Sequence, residues 1–264
     1  LEIIPQNLWK HLKCKIKNPT FKWAFLLLQF LYIYPMNDYL VECCANSIQS
    51  AMQGELGGAN RIELCTNLEV GGLTPKREDI ATLIEIINIP VRILIRPHSC
   101  NFIYSKTEFS QIISDIYFCK SIGIEGIIIG ALNMKGYVNK EQTKAMVKAA
   151  KPMNVTFHRA FDDCHNLQQD LEDVIDCGCD TLLTCGQNKN VTDGISNLEQ
   201  LIKLGNKRIK ILAGSGVNHT NIEALYKIGI RDFHLSGIIK NQQGKLETDA
   251  LLIKAVIDKL KKIV

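Results

Sequence analysis

Eight short apolar runs alternate with eight helix-patterned stretches between residues 39 and 263. The runs are almost continuously apolar, as strands covered on both faces must be. Strict alternation implies parallel strands joined by right-handed crossovers, and eight such units close naturally into a barrel. Together these observations predict an α/β protein: a single (βα)8 TIM barrel over residues 36–264, after a short non-barrel N-terminal extension over residues 1–35. An open doubly wound sheet is the competing architecture, but it has no need of eight units.

The elements follow in order. "YLVECC" (39–44) is the first strand, and "ANSIQSAMQGELGG" has helical spacing, with Ser47 as N-cap and Gly57-Gly58 as a stop. "NRIELC" (60–65) is the second strand, followed by a glycine-rich loop and a helix through Ile87. "PVRILIR" (90–96) precedes a helix over 107–123, and "EGIIIG" (125–130) precedes one over 139–151. "NVTFHR" (154–159) leads to a helix over 166–177, and "CDTLLT" (179–184) to one near 197–204. "RIKILAG" (208–214) leads to a helix over 218–228, and "RDFHLS" (231–236) to a last helix over 248–263. No second domain or low-complexity linker interrupts the series.

The net charge is +4, but residues 1–35 hold five Lys and one acid and account for all of it. Residues 36–264 balance 26 basic against 26 acidic residues, so the body has no basic field for nucleic acid. Ten Cys in a chain of this length, several inside apolar runs, read as reduced thiols of a cytoplasmic or nuclear protein. Cys177-Gly178-Cys179 reads as a helix end and a buried strand start. The chain begins with Leu, and a basic stretch precedes "WAFLLLQFLYIY" (23–34), which resembles a signal peptide. It is short for a membrane span and has no small-residue cleavage site. Residues 1–35 are therefore expected to be an over-extended reading frame or a disordered leader, with a membrane or organelle address as the alternative.

In a barrel of this kind, functional groups sit at the C-terminal ends of strands. Residues i and i+2 of a strand share a face. Glu42 and Cys44 therefore stand together on the first strand, and Glu63 and Cys65 on the second. The third strand ends in Arg96, the fifth in His158-Arg159, and the eighth carries His234 and Ser236 on one face. A buried Cys can serve as a small hydrophobe, but a buried Glu needs a partner, and Arg96 and Arg159 are the expected ones. Asp162 and Asp163 are expected to begin the following loop and cap its helix. "AGSG" (213–216) and "HLSG" (234–237) fall where TIM barrels hold phosphate, making Gly214, Gly216 and Ser236 phosphate candidates. The same turns could simply require glycine.

Taken together, "ECCANS", "GGANRIELCTNLEVGGLTP", "IRP", "FIYS", "VTFHRAFD", "LTCGQ" and "FHLS" resemble the CutC family of copper homeostasis proteins, in order and spacing, over about residues 39–240. The resemblance implies a TIM barrel, an intracellular location, copper binding as Cu(I), and self-association into a homo-oligomer. It places the copper-binding cysteines at Cys44 and Cys65, and soft thiolates do select Cu(I). Cys43 stands where the family has an apolar residue. After "IRP" the family runs Arg-Gly-Gly-Asp-Phe, whereas this chain has His98-Ser99-Cys100-Asn101-Phe102. An Arg and an Asp are lost, and His98 and Cys100 are gained as further soft ligands. Ala213-Gly214-Ser215-Gly216 replaces the family's Pro-Gly-Gly-Gly.

Two readings follow. One is a Cu(I)-binding protein using Cys44 and Cys65, joined by His98 or Cys100. The other is an enzyme for a small anionic or phosphorylated metabolite, with Glu42, Glu63, Arg96, His158 and Arg159 as its candidate catalytic groups.

Overall fold

The computed structural model describes residues 38–241 and 243–264. The expected N-terminal extension, residues 1–35, lies outside them, as does its leader or signal-like stretch. The eight predicted strands are β1 (Leu40–Ala45), β2 (Arg61–Leu64), β3 (Val91–Leu94), β4 (Gly126–Ile129), β5 (Asn154–Phe157), β6 (Thr181–Thr184), β7 (Lys210–Ala213) and β8 (Asp232–Leu235). They pair in sequence order, all parallel, and β8 returns to β1 to close the barrel.

The helices are α1 (Ile48–Leu56), α2 (Arg77–Ile86), α3 (Lys106–Ser121), α4 (Lys140–Ala150), α5 (Leu167–Asp176), α6 (Ile195–Gly205), α7 (Ile222–Lys227) and α8 (Ala250–Ile263). Five of these eight, α1, α3, α4, α5 and α8, start at a side chain that accepts an orphan N–H of the first turn. Ser47 accepts from Ser50 N at 3.1 Å, and Asn166 from Gln169 N at 3.0 Å. Ser105 and Glu108 cap each other reciprocally. Cys177 ends α5 and Cys179 is buried just before β6, as their spacing predicts. All nine cysteines among the described residues are free.

Two segments differ from the expectation. The helix expected from Asn218 begins only at Ile222, because the Asn221 side chain accepts the Asn218 N–H at 2.9 Å and holds a turn there. Between β8 and α8 the chain forms a two-stranded hairpin, β9 (Ile238–Lys240) and β10 (Leu246–Thr248). Among the described residues, no helix is long and apolar enough to cross a membrane.

Most apolar burial lies between the strands and the helices, where Val41, Cys43, Ile62, Ile93, Ile127 and Phe157 face outward from the barrel wall. Cys43 thus points away from Cys44, as alternation requires. The inside of the barrel is different. Hydrogen-bonded partners share a face, so the register Glu42–Arg61 and Cys44–Glu63–Arg92–Gly126 reads out the inward set. That set is largely polar. Gly126 has no side chain because Arg92 crosses over it: a Cβ there would stand 3.1 Å from Arg92 Nε and 2.8 Å from the Asn154 carbonyl. Over this gap Arg92 donates to Thr156 Oγ1 at 2.6 Å and to Glu125 Oε2 at 3.1 Å.

Gly126→Ala should therefore overpack the barrel floor and destabilise the protein by about 1–3 kcal/mol. Chemical denaturation followed by circular dichroism measures it; an unchanged midpoint would mean that Arg92 does not need this path.

Candidate functional site

A cavity of about 570 Å³ opens at the C-terminal end of the barrel. Cys44, Glu63, Arg96, His158, Arg159, His234 and Ser236 all line it. The strand ends named from the sequence therefore do converge on one space. Glu42 lies just beneath, fully buried.

The carboxylates find partners other than those expected. Arg96 and Arg159 do not pair with Glu42 or Glu63. Glu42 accepts from Arg61 Nε at 2.5 Å and lies 2.8 Å from His234 Nδ1. His234 Nδ1 is also 3.4 Å from Glu63 Oε2, an ion-pair contact without hydrogen-bond geometry. Register explains the exchange: Glu42 is aligned with Arg61 on one side and His234 on the other. Arg96 stands beyond the end of β3, level with the loops. Its guanidinium donates to the carbonyls of Val70, Gly72 and Ser99, each at 3.1 Å. Arg159 pairs with Asp162 at 2.9 Å.

Asp162 is a second correction. It does not cap α5, whose N-cap is Asn166. Its carboxylate instead accepts from Thr184 Oγ1 at 2.5 Å, and from the backbone N–H groups of Cys185 and Gln187 at 3.1 Å each. It thereby ties the loop after β5 to the loop after β6. Asp163 lines the cavity rather than capping the helix.

The protonation states follow from burial and these neighbours. Burial works to raise Glu42, but Arg61 and His234 outweigh it and hold the carboxyl below the usual range. Burial raises Glu63 to about 8, with His234 opposing and Glu42 reinforcing the shift. Burial acts to lower His234, and the two carboxylates overcome it, leaving the imidazole above its ordinary value. His158 goes the other way: burial, with Arg96 and Arg159 nearby, lowers it to about 3. Its Nδ1 accepts from Ala160 N at 3.1 Å, so the neutral ring carries its proton on Nε2.

The thiols sit beside the carboxylates. Cys44 Sγ and Cys65 Sγ are 3.9 Å apart, both buried, with Leu94, Ile128 and Leu68 around them. Gly72 closes over Cys65, leaving room for only a hydrogen: a Cβ there would stand 3.3 Å from Cys65 Cβ. The contact with Cys65, together with burial, pushes the Cys44 thiol well above its ordinary value. Ligand atoms of Cys44, Glu63 and His234 also lie within 4.8 Å of one another.

The chain resembles known proteins over all eight barrel strands. The CutC family model matches residues 39–239. This chain belongs to the CutC family. A CutC family protein of Bacteroides fragilis is 40% identical over 203 residues, covering 76% of this chain and 81% of the relative. One from Pasteurella multocida is 38% identical over 198 residues, covering 75% and 81%. A solved structure described as a copper homeostasis protein, CutC, from Streptococcus agalactiae superimposes with a TM-score of 0.71. It is 25% identical and covers 75% of this chain and 98% of its own.

Within this CutC barrel, the other residues singled out in the sequence are scattered. His98 lies 3.3 Å from Glu108 Oε1 and Cys100 is exposed; neither lines the cavity. Gly216 lines it with a φ of 83°. Gly214 does not. Its N–H is donated to the Thr184 carbonyl at 3.0 Å, and a Cβ there would stand 2.5 Å from Leu183 Cδ1. Arg61, Arg92 and Asp232, which underlie the site, escaped the sequence reading. Arg61 stands two residues before Glu63, Arg92 four before Arg96, and Asp232 two before His234, so period-two spacing was their available signal.

Two outcomes follow. Glu42→Gln would leave Arg61 and His234 buried without their anion, at a cost of about 3–5 kcal/mol in denaturation experiments. Glu63, raised from 4.5 to about 8, contributes stability that is complete below 4.5 and lost as pH rises through 8. His234 adds stability below 6.5 that is lost above it, as pH passes its raised value. Glu42 contributes above 4.5 and loses its share only as pH falls toward its depressed value. Stability should therefore decline between about pH 4.5 and pH 8, with His234 adding to the decline above 6.5, and Glu63→Gln should flatten it. Equal slopes in the two proteins would refute this assignment of charges.

Proposed function

We propose that the protein binds Cu(I), within copper homeostasis, through the thiolates of Cys44 and Cys65. The observation that carries this reading is the pair of buried sulfurs, 3.9 Å apart in a mostly apolar setting. Two soft donors at this separation, excluded from water, suit a soft monovalent ion. The neighbouring Cys44–Glu63–His234 set suits copper less well. The carboxylates favour the protonated imidazole, and a protonated ring nitrogen cannot coordinate. The copper-related description of the Streptococcus agalactiae relative supports the reading.

Copper is cargo in this scheme, and the chain's part is to hold and release it. The Cys44 thiol holds its proton tightly when empty, so Cu(I) must displace it, and apparent affinity rises with pH. The largely buried position, with Cys65 behind Cys44 and Cys44 at the cavity wall, limits the access of water and oxidants to the bound ion. Self-association and a cytoplasmic or nuclear location belong to the same reading. His98 and Cys100 are not needed as ligands.

Anaerobic titration of the full chain with Cu(I), against a chromophoric chelator, tests the site. One ion per chain is expected, with affinity falling as pH is lowered from 8 to 6. A Cys44→Ser/Cys65→Ser variant should lose the binding. Full retention in that variant, or no binding by the parent chain, would remove the assignment.

A further inference from the structure

The cavity has a second wall that the copper site does not use. Arg96 and His158 both line it, and both are more than nine-tenths buried, at 6% and 5% exposure. Among the described residues, each has a buried ring or guanidinium nitrogen without a partner: Arg96 Nε and His158 Nε2. The Phe102 ring holds them as a pair. The Arg96 guanidinium lies 4.8 Å from its centroid, and the His158 ring centroid is also 4.8 Å away.

We propose that this wall is a binding site for a small organic anion, whose carboxylate or phosphate accepts from Arg96 Nε–H and His158 Nε2–H once a small shift of the two side chains uncovers these buried nitrogens. Three features support it. Among the described residues, the other Arg96 nitrogens reach only neutral carbonyls, of Val70, Gly72 and Ser99, and no carboxylate forms an ion pair with it. His158 Nδ1 is occupied by the Ala160 N–H at 3.1 Å, which fixes the remaining proton on Nε2. A buried donor without an acceptor is destabilising, and a bound anion would offset that loss at both positions. The low affinity of His158 for a second proton agrees with a neutral donor.

The chemistry of the ligand follows from the walls. A fork of N–H donors carrying positive charge suits a planar carboxylate or a phosphate. Phe102 and Leu183 offer an apolar surface for a short carbon skeleton. The volume of about 570 Å³ is in the range of small-molecule sites. Arg159 on the same rim is already neutralised by Asp162, which leaves Arg96 as the cation of this lining free of an ion pair among the described residues. The anion is thereby directed to Arg96 and His158.

Ring-nitrogen 15N shifts of the histidines, read through their carbon-bound protons in the copper-free full chain, test the site. The His158 signals are assigned by their loss in His158→Gln. Inorganic phosphate and malonate serve as separate probes, each to about 10 mM, ten times a millimolar Kd. Saturable movement of His158 Nε2 is expected with at least one probe. Phosphate acting more strongly identifies a phosphorylated ligand class, and malonate acting more strongly a carboxylate class. Arg96→Lys keeps the charge but removes the Nε–H, and should weaken binding about tenfold. No saturable shift with either probe overturns the proposal, as does unchanged affinity in a folded Arg96→Lys variant. Copper titration is independent of these readouts, so the two sites can fail separately.

Discussion

The structure depends on a buried anion placed between two cations. Glu42 lies at the centre of the barrel, fully removed from water, with Arg61 on one side and His234 on the other. Such a group adds little net stability over an apolar filling, but removing one member leaves the others unpaired and costly. Its value is in specification. The barrel could be filled by Leu and Ile, as many are. Here its floor is Glu42, Arg61, Arg92, Thr156, Thr181 and Asp232, joined mostly by hydrogen bonds and charge contacts. A slip of one residue in any strand would turn these groups into the apolar layer beneath the helices.

The floor in turn sets the state of the groups above it. Glu63 rests against a histidine already shared with Glu42, so it gains less from that cation and stays largely protonated at neutral pH. Cys44, aligned with Glu63 across β1 and β2, then lies in a region with little free negative charge. The thiols are shielded on one side by Leu94 and Ile128 and above by the Gly72 turn. Sulfur, carboxyl and imidazole occupy one side of the cavity mouth. Neutral imidazole, guanidinium and aromatic ring occupy another. One barrel end thus offers a soft donor pair and a hard-anion surface without either neutralising the other.

Loop anchoring keeps these walls in place. Asp162 collects one hydroxyl and backbone N–H groups from the β6 loop, which fixes Arg159 at the rim. Arg96 does the corresponding work on the other side, gathering three carbonyls from two loops. Each is a buried or half-buried charge spent on backbone dipoles, an arrangement that rigidifies a loop more than a second charge would.

The alternation of apolar runs and amphipathic stretches was enough to read eight βα units, the closed barrel and the Ser47 cap of α1. These depend on local periodicity and on a single capping residue. Period-two spacing also placed Glu42 with Cys44, and Glu63 with Cys65, on a shared face, which the strand register shows to be the inward one. What it could not show was which charge meets which. Arg96 and Arg159 were the arginines nearest the strand ends, yet Arg61 and His234 hold the carboxylates. Pairing across a barrel depends on the stagger between strands, and the stagger is set by closure of the whole ring. The short α7, displaced by the Asn218–Asn221 turn, and the β9–β10 hairpin were missed for a related reason: side-chain-to-backbone bonds and edge pairing outweighed local propensity. Sequence by itself determined the fold, the shared faces of the strands and the cysteine pair. The partners of each buried charge, and the separation of the mouth into two walls, were decided only when the barrel closed, because closure alone brings β8 beside β1.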